Sequence, residues 1–181
     1  MPFAIENLRL KELAIVADLN KPIFDHFVRF LARNGYSSLH AFIVDKQEAR
    51  AGAAILAFLE EPLPDGICLH DGIARPYAPD KGRWLLLGWI LRDAPEQRLR
   101  PMVSSMPGNS AQERQATILN RVRAYVGDIF PDPHKWDWNT ISEVIVDRLE
   151  GSRRAIKGTL FEAIVRRRLG HRLIKAYPNS D

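Results

Sequence analysis

Apolar residues recur every three or four positions along much of this chain, a spacing typical of helices that bury one face. Residues 6–19 show this spacing first, and it predicts a helix there. Pro22 suits the first turn of a second helix and Gly35 suits its end, because proline has a helical φ and glycine accepts the left-handed conformation that often follows a helix. The predicted apolar face of this second helix is Ile23, Phe24, Phe27, Val28 and Leu31.

Three capping-box spacings predict the starts of further helices, because the first side chain of such a pair can accept the N–H of the residue three positions later. The pairs are Asp45 with Glu48, Ser110 with Glu113, and Thr140 with Glu143. The helix after the first pair is predicted over 49–59, and the helix after the third is predicted to end at Glu150. The helix after the second pair carries a regular apolar stripe, which is Ile118, Val122, Tyr125, Val126 and Ile129.

The middle of the chain has a different pattern. The run WLLLGWIL at 84–91 is continuously apolar and has the length of a strand, so we expect a buried central strand there rather than a buried helix. Residues 67–70 have the length of another short strand, and 71–83 are rich in glycine, proline and charge, as in a loop. The predicted fold class is therefore mainly α with a minor β component.

Composition narrows the classes of protein that the chain can belong to. Cys68 is the only cysteine, which excludes an internal disulfide framework and a multi-cysteine zinc site. No apolar run approaches eighteen residues, so no membrane span is expected. The first thirteen residues mix charged and apolar side chains and do not read as a secretory signal. We expect a cytoplasmic protein.

Charge is distributed unevenly. The chain carries a net charge of +4, but residues 151–181 hold eight basic and two acidic residues, which makes this segment +6 and leaves −2 for residues 1–150. A basic end on a near-neutral body indicates a polyanionic partner, most simply double-stranded DNA. The alternative is a solvated helix face without a partner.

The basic end is also predicted to be helical. Gly151 and Ser152 are expected to break the chain after a helical domain of residues 1–150, and an amphipathic helix follows over 153–169. Its apolar arc is Leu160, Phe161, Ile164, Val165 and Leu169. Glu162 lies at the border of this arc, one turn before Arg166, so it is either a surface ion-pair partner or a carboxylate that faces a site.

The string KGTLFE at 157–162, followed by Val165 and Leu169, resembles the first helix of the restriction-endonuclease-like fold. This α/β fold is shared by type II restriction enzymes and other PD-(D/E)xK nucleases. The resemblance covers about twenty of the 181 residues. It implies that residues 151–181 begin a nuclease core and that Glu162 is the glutamate of this helix that faces the active site.

The resemblance also implies chemistry that this sequence does not complete. In these nucleases a later Asp and a Glu-x-Lys motif complete a Mg²⁺-dependent site at which a phosphodiester is hydrolysed. The nineteen residues after Glu162 contain Asp181 as their only acid and no Glu-x-Lys. We therefore expect the N-terminal portion of a type II restriction endonuclease, with Mg²⁺ required only in the complete enzyme and no metal ligand assigned here.

On this interpretation the chain binds duplex DNA without cutting it. It acts either as a homodimer or with a missing C-terminal partner segment. The residues expected to contact phosphates are Arg153, Arg154, Lys157, Arg166 and Arg167.

Two other functions stay open from the residues alone. Helices at 140–150 and 153–169 could form a non-enzymatic helix-turn-helix-like DNA-binding module, with the second helix in the major groove. The arginines could instead meet an acidic protein, in a protein-interaction module. An upstream metal-binding pair of Asp80 and Glu96, and a Cys-His nucleophile at Cys68 and His70, are weaker alternatives.

Overall fold

The computed structural model describes residues 3–176, with side chains for residues 11–169. The protein is mainly helical, as the periodicity predicts, and its eight α-helices within the described residues are numbered in chain order. They are α1 (Phe3–Leu19), α2 (Lys21–Arg33), α3 (Leu39–Ile43), α4 (Glu48–Glu60), α5 (Pro79–Ile90), α6 (Arg100–Val103), α7 (Ala111–Ile129) and α8 (Trp138–Ala176). A π-helical turn, Pro95–Leu99, precedes α6, and a 3₁₀ turn, Pro133–Trp136, precedes α8.

Several predicted helix boundaries are confirmed. Pro22 lies in the first turn of α2, and the Ser110 hydroxyl accepts the Glu113 N–H at 3.0 Å to cap α7. The capping box predicted at Asp45 is wrong. Gln47 is the N-cap residue of α4, and the Asp45 carboxylate accepts the Gln47 N–H instead. The Ser110 hydroxyl and the Asp45 carboxylate both accept backbone N–H groups that a helix start leaves without partners.

The strand predicted near 84–91 is wrong, because these residues lie in α5 and its C-cap. Every residue from 82 to 91 is buried, so α5 has no polar side along this stretch and lacks the alternation that marks a surface helix. A helix that is buried on all sides gives the same continuous apolar run as a buried strand. Within residues 3–176 there is no β-strand, and an isolated antiparallel bridge joins His70 and Pro76.

Aromatic side chains of α2, α3 and α4 form the centre of the core. The Phe27 ring lies 4.6 Å from the Phe58 ring and 5.9 Å from the Phe42 ring, measured between centroids. His26 packs against the same cluster, and burial lowers its pKa although Glu61 is nearby. This buried cluster fixes the N-terminal helices as a scaffold on which the rest of the chain packs.

The long helix α8 is continuous from Trp138 to Ala176. The break predicted at Gly151 and Ser152 is wrong, because both residues are helical. A turn between helices at 140–150 and 153–169 is therefore absent, and the predicted helix-turn-helix is wrong. The predicted domain boundary after residue 150 lies inside α8; whether a further domain begins there stays a prediction. No helix among the described residues is both long and apolar enough to span a membrane.

Candidate nucleic-acid interface

The two halves of α8 differ in how their apolar side chains are covered. In the first half, Ile141, Ile145 and Leu149 are fully buried against the helices that pack on α8. In the second half, Leu160 is 61% exposed and Phe161 is 69% exposed. Ile164 and Leu169 are exposed as well. The apolar arc predicted from the sequence is thus present but faces solvent over 160–169.

Basic side chains share this exposed half of α8. At about 100° per residue, positions 154, 157, 161 and 168 lie within about 60° of one another around the helix. We call these four residues, Arg154, Lys157, Phe161 and Arg168, the basic face of α8; all four are exposed. Arg167 is also exposed, but it lies outside this face, on the side of the helix that carries Leu149 and Leu160.

Two of the predicted phosphate-contacting arginines form ion pairs within one turn of the helix. Arg154 contacts Glu150 at 2.6 Å and Arg166 contacts Glu162 at 2.6 Å. Both guanidinium groups remain largely exposed, and such i,i+4 surface pairs contribute only about 0.3–0.5 kcal/mol each. A phosphate can therefore replace either carboxylate at little cost.

Arg153 is placed differently from the other predicted DNA contacts. Its side chain is only 12% exposed. Its Nε donates to the Gly72 carbonyl at 2.9 Å, and its Nη1 lies 3.2 Å from the Glu12 carboxylate. The guanidinium thus links α8 to α1 and to a loop, and little of it is left to face a phosphate.

The Glu162 side chain is exposed and pairs with Arg166. Its surroundings therefore match the surface ion pair more closely than a carboxylate aimed into a cleft. No cluster of three or more His, Cys, Asp or Glu side chains that could hold a metal occurs in the described part of the chain. One exposed carboxylate beside a cation does not make a Mg²⁺ site, because Mg²⁺ needs several oxygen ligands.

The loop that contacts Arg153 is tightly organised. We call Asp71-Gly72-Ile73-Ala74-Arg75 the 71–75 loop. The Asp71 carboxylate accepts the N–H groups of Ile73 and Arg75, both at 2.9 Å, and the Arg75 Nε at 2.8 Å. Burial raises the pKa of Asp71, but these hydrogen bonds outweigh it and hold that pKa below its ordinary value. The carboxylate is therefore charged at neutral pH and binds the loop to itself.

Gly72 brings the loop against α8. A Cβ added at Gly72 would lie 2.3 Å from the Leu149 carbonyl oxygen and 2.9 Å from the Arg153 nitrogen, so only glycine fits this approach. The sequence predicts a loop over 71–83, although 79–83 belong to α5, and it does not predict this contact. The Asp71-Gly72 pair was a signal for a tight turn, although not for its partner helix.

The weaker alternatives are brought together only in part. Asp80 and Glu96 line one cavity of about 690 Å³, but Arg83 pairs with Asp80, while Arg100 contacts Glu96 at 2.9 Å. Cation partners of this kind already balance both carboxylates.

The Cys68 sulfur lies 3.5 Å from His70 Nε2, and Asn20 Oδ1 lies 3.3 Å from His70 Nδ1. Asn20 also exchanges hydrogen bonds with the backbone of His70, so it holds this segment against the start of α2.

Comparisons with known protein families, with curated proteins and with solved structures find no match to this chain. A function for α8 therefore has to be inferred from the charge, exposure and geometry of this helix.

Proposed function

We propose that this chain is the DNA-binding N-terminal portion of a type II restriction endonuclease of the PD-(D/E)xK superfamily, with a nuclease core that begins along α8. The observation that carries the proposal is the second half of α8, where exposed cations and exposed apolar side chains share one helix. A duplex supplies phosphates for the cations, and an α/β core supplies an apolar surface for the remaining face.

The charge of this segment supports contact with phosphates. Residues 151–169 carry six basic side chains against the single carboxylate of Glu162. Arg154, Lys157 and Arg168 follow one another along the basic face, so they can contact several phosphates of a duplex that lies along the helix. Contacts of this kind set affinity without reading sequence, because every nucleotide presents the same phosphate.

The exposed apolar residues support a further layer on α8. Ile145, Leu149, Leu160 and Ile164 lie along the same side of the helix. The first two are fully buried and the last two are exposed, so a side that packs in the first half has no cover in the second. Exposed apolar patches of this kind mark surfaces that pack against another part or partner. In the proposal, this side packs inside the complete nuclease core.

Mg²⁺ would serve the complete enzyme only. The residues described around Glu162 do not fit this ion, since Glu162 stands without a second carboxylate and is paired with Arg166. We therefore assign no metal ligand and derive no hydrolytic step from these residues. The purified chain is expected to bind DNA and not to cut it. In the proposal, Glu162 acts in catalysis only in the complete enzyme, which supplies the Mg²⁺ ligands.

A second candidate function follows from the same exposed patch. A basic helix with exposed Leu160, Phe161 and Ile164 also suits an acidic amphipathic segment of a protein, which would cover the apolar side chains and pair with the cations. The two functions differ in what they require. DNA binding requires the cations alone, whereas a protein partner requires the apolar residues as well.

The proposal is tested by fluorescence anisotropy with a dye-labelled, mixed-sequence DNA duplex at low salt, in the presence of Mg²⁺. We expect the double variant Lys157→Gln, Arg168→Gln, which removes two cations of the basic face, to bind at least about tenfold more weakly than the wild type, because two phosphate contacts are lost. The matched control is Arg29→Gln, Arg121→Gln, which removes the same charge from exposed positions on α2 and α7.

Three results would contradict the proposal. One is wild-type protein that does not bind the duplex. Another is an equal loss of affinity in both double variants, since binding would then follow net charge rather than α8. The third is Mg²⁺-dependent cutting of the duplex by the wild-type chain, because the chain alone is expected to lack the metal ligands. Tight binding to an acidic amphipathic peptide without binding to DNA would favour the second function.

A further inference from the structure

The 71–75 loop holds an apolar side chain beside the basic face of α8. Ile73 is 44% exposed, and it lines a cavity of about 520 Å³ together with Lys157 of α8 and Ile15 of α1. Lys157 belongs to the basic face, so a duplex that contacts this lysine passes next to Ile73. Two residues further along the loop, Arg75 remains largely exposed although its Nε binds Asp71.

The backbone of the loop is fixed from within. The Asp71 N–H donates to the Arg75 carbonyl at 2.8 Å, and the Ala74 N–H donates to the Asp71 carbonyl at 3.0 Å. The Asp71 carboxylate accepts three further hydrogen bonds from Ile73 and Arg75. Ile73 is therefore held in place before any ligand binds, and its ordering adds little entropic cost to binding.

One residue of the loop has an uncommon conformation. Ala74 has a φ of 62°, in the left-handed region that residues with a Cβ seldom adopt. Such a conformation persists only where surrounding contacts enforce it. Here these contacts are the hydrogen bonds to Asp71 and the approach of Gly72 to α8, and the neighbouring Ile73 is left partly exposed.

We propose that Ile73 is a wedge that enters the minor groove of the duplex bound along α8 and partly unstacks one base step, with Arg75 and Lys157 contacting nearby phosphates. Proteins that bend DNA from the minor groove commonly insert an apolar side chain of this kind next to cations. This inference rests on the proposed function, because it requires that α8 bind duplex DNA.

The surroundings of Ile73 favour a duplex over an apolar ligand. Glu12, the carboxylate that lines this cavity, is engaged by Arg153, so it opposes a phosphate less than an unpaired carboxylate would. Arg75 follows Ile73 by two residues and Lys157 lines the same cavity as Ile73, and both cations are exposed. An exposed apolar side chain accompanied by cations suits a base step flanked by phosphates.

The experiment uses a mixed-sequence duplex of about 25 base pairs that carries a donor dye and an acceptor dye at its two ends, so that bending raises the energy transfer. Wild-type protein is compared with Ile73→Ala, with the conservative Ile73→Leu, and with Ile129→Ala. Ile129 is a matched control because it is 47% exposed on α7. Circular dichroism confirms that each variant is folded.

We expect wild type, Ile73→Leu and Ile129→Ala to raise the energy transfer on binding, whereas Ile73→Ala loses this rise and binds several-fold more weakly. The dependence of its affinity on salt is expected to stay the same, since no cation is removed. If the wild type binds without a rise, or if Ile73→Ala bends the duplex like the wild type, the wedge is wrong and the proposed function stands. If the wild type does not bind the duplex, the proposed function itself fails.

Discussion

Arg123 is fully buried, and its guanidinium binds several backbone carbonyls. Its Nη1 donates to the carbonyls of Phe42, Ile43 and Asp45, and its Nε donates to Asn120. The carbonyls of Phe42 and Ile43 lie at the end of α3, where a helix leaves its last carbonyls without intrahelical partners, and Asp45 follows shortly after. One side chain of α7 thereby closes a helix that is only five residues long.

Arg123→Met is expected to lower the free energy of unfolding by about 3 kcal/mol or more, because methionine removes a buried donor that three carbonyls share. The measurement is urea unfolding followed by circular dichroism. Arg121→Met is the control, since Arg121 is exposed on the same helix, and its change is expected within about 0.5 kcal/mol. Similar values for the two variants would show that the Arg123 hydrogen bonds add nothing to stability.

Asp71 gives the loop a defined response to acid. Because hydrogen bonds hold its folded-state pKa below the unfolded value, its contribution to stability is present at neutral pH and is lost as pH falls through the folded-state pKa. The affected range lies below about pH 4, the ordinary pKa of an aspartate. Other carboxylates with lowered pKa values, Asp45 and Asp137, respond in the same direction, so the contribution of Asp71 must be measured as a difference.

Asp71→Asn is expected to lower the free energy of unfolding by about 2 kcal/mol at pH 7, since the amide cannot replace the charged acceptor for Ile73 and Arg75. The difference from the wild type is expected to shrink as the pH falls below about 4, because the wild-type carboxylate is then protonated. Urea unfolding at a series of pH values measures both effects. A difference that stays constant down to the lowest pH would contradict the role given to the Asp71 charge.

At the scale of elements, α8 is a helix whose first half packs and whose second half does not. Because of this contrast, removing a leucine side chain is expected to lower stability strongly in the first half of α8 and weakly in the second half. Leu149→Ala is expected to lower the free energy of unfolding by about 2–5 kcal/mol, because Leu149 is fully buried. Leu160→Ala is expected to change it by less than about 1 kcal/mol, because Leu160 is largely exposed.

Urea unfolding of the two variants makes this comparison directly. A large loss for Leu160→Ala would mean that the second half of α8 is already covered in the isolated chain. The proposal that this face packs in a nuclease core would then lose its main support.

The helices with regular polar and apolar sides could be predicted from the sequence. α2 and α7 have this pattern and clear start signals at Pro22 and Ser110, and both are present near the predicted positions. α5 could not be predicted, because burial on all sides removes the alternation. Gly151 and Ser152 were expected to break the chain, but Leu149 and Arg153 on either side of them are anchored by the rest of the fold, and packing outweighs their weak helix propensity.

The candidate interface could also be predicted only in part. The exposed cations of the second half of α8 were visible as a charge pattern. The role of Arg153 was not, because its partners Gly72 and Glu12 lie 81 and 141 positions away in the sequence. Ile73 was likewise missed, since its exposure next to Lys157 depends on how the 71–75 loop meets α8.

At the scale of the whole molecule, the exposed basic half of α8 is attached to a packed scaffold. This scaffold consists of the buried aromatic core of α2, α3 and α4 and the first half of α8. The 71–75 loop joins the two parts, because Gly72 approaches α8 and Arg153 binds the Gly72 carbonyl. The cations and Ile73 are therefore positioned by a scaffold of large buried side chains. The central claim is that this molecule binds duplex DNA through the exposed half of α8.

The measurement that tests this claim most directly is the slope of log affinity for a mixed-sequence duplex against log salt concentration. The account predicts steep salt dependence for the wild type. It also predicts a slope smaller by about two in Lys157→Gln, Arg168→Gln, because each lost phosphate contact releases about one counterion fewer. The control Arg29→Gln, Arg121→Gln is expected to keep the wild-type slope. Equal slopes for all three proteins, or no binding of the duplex at low salt, would contradict the claim.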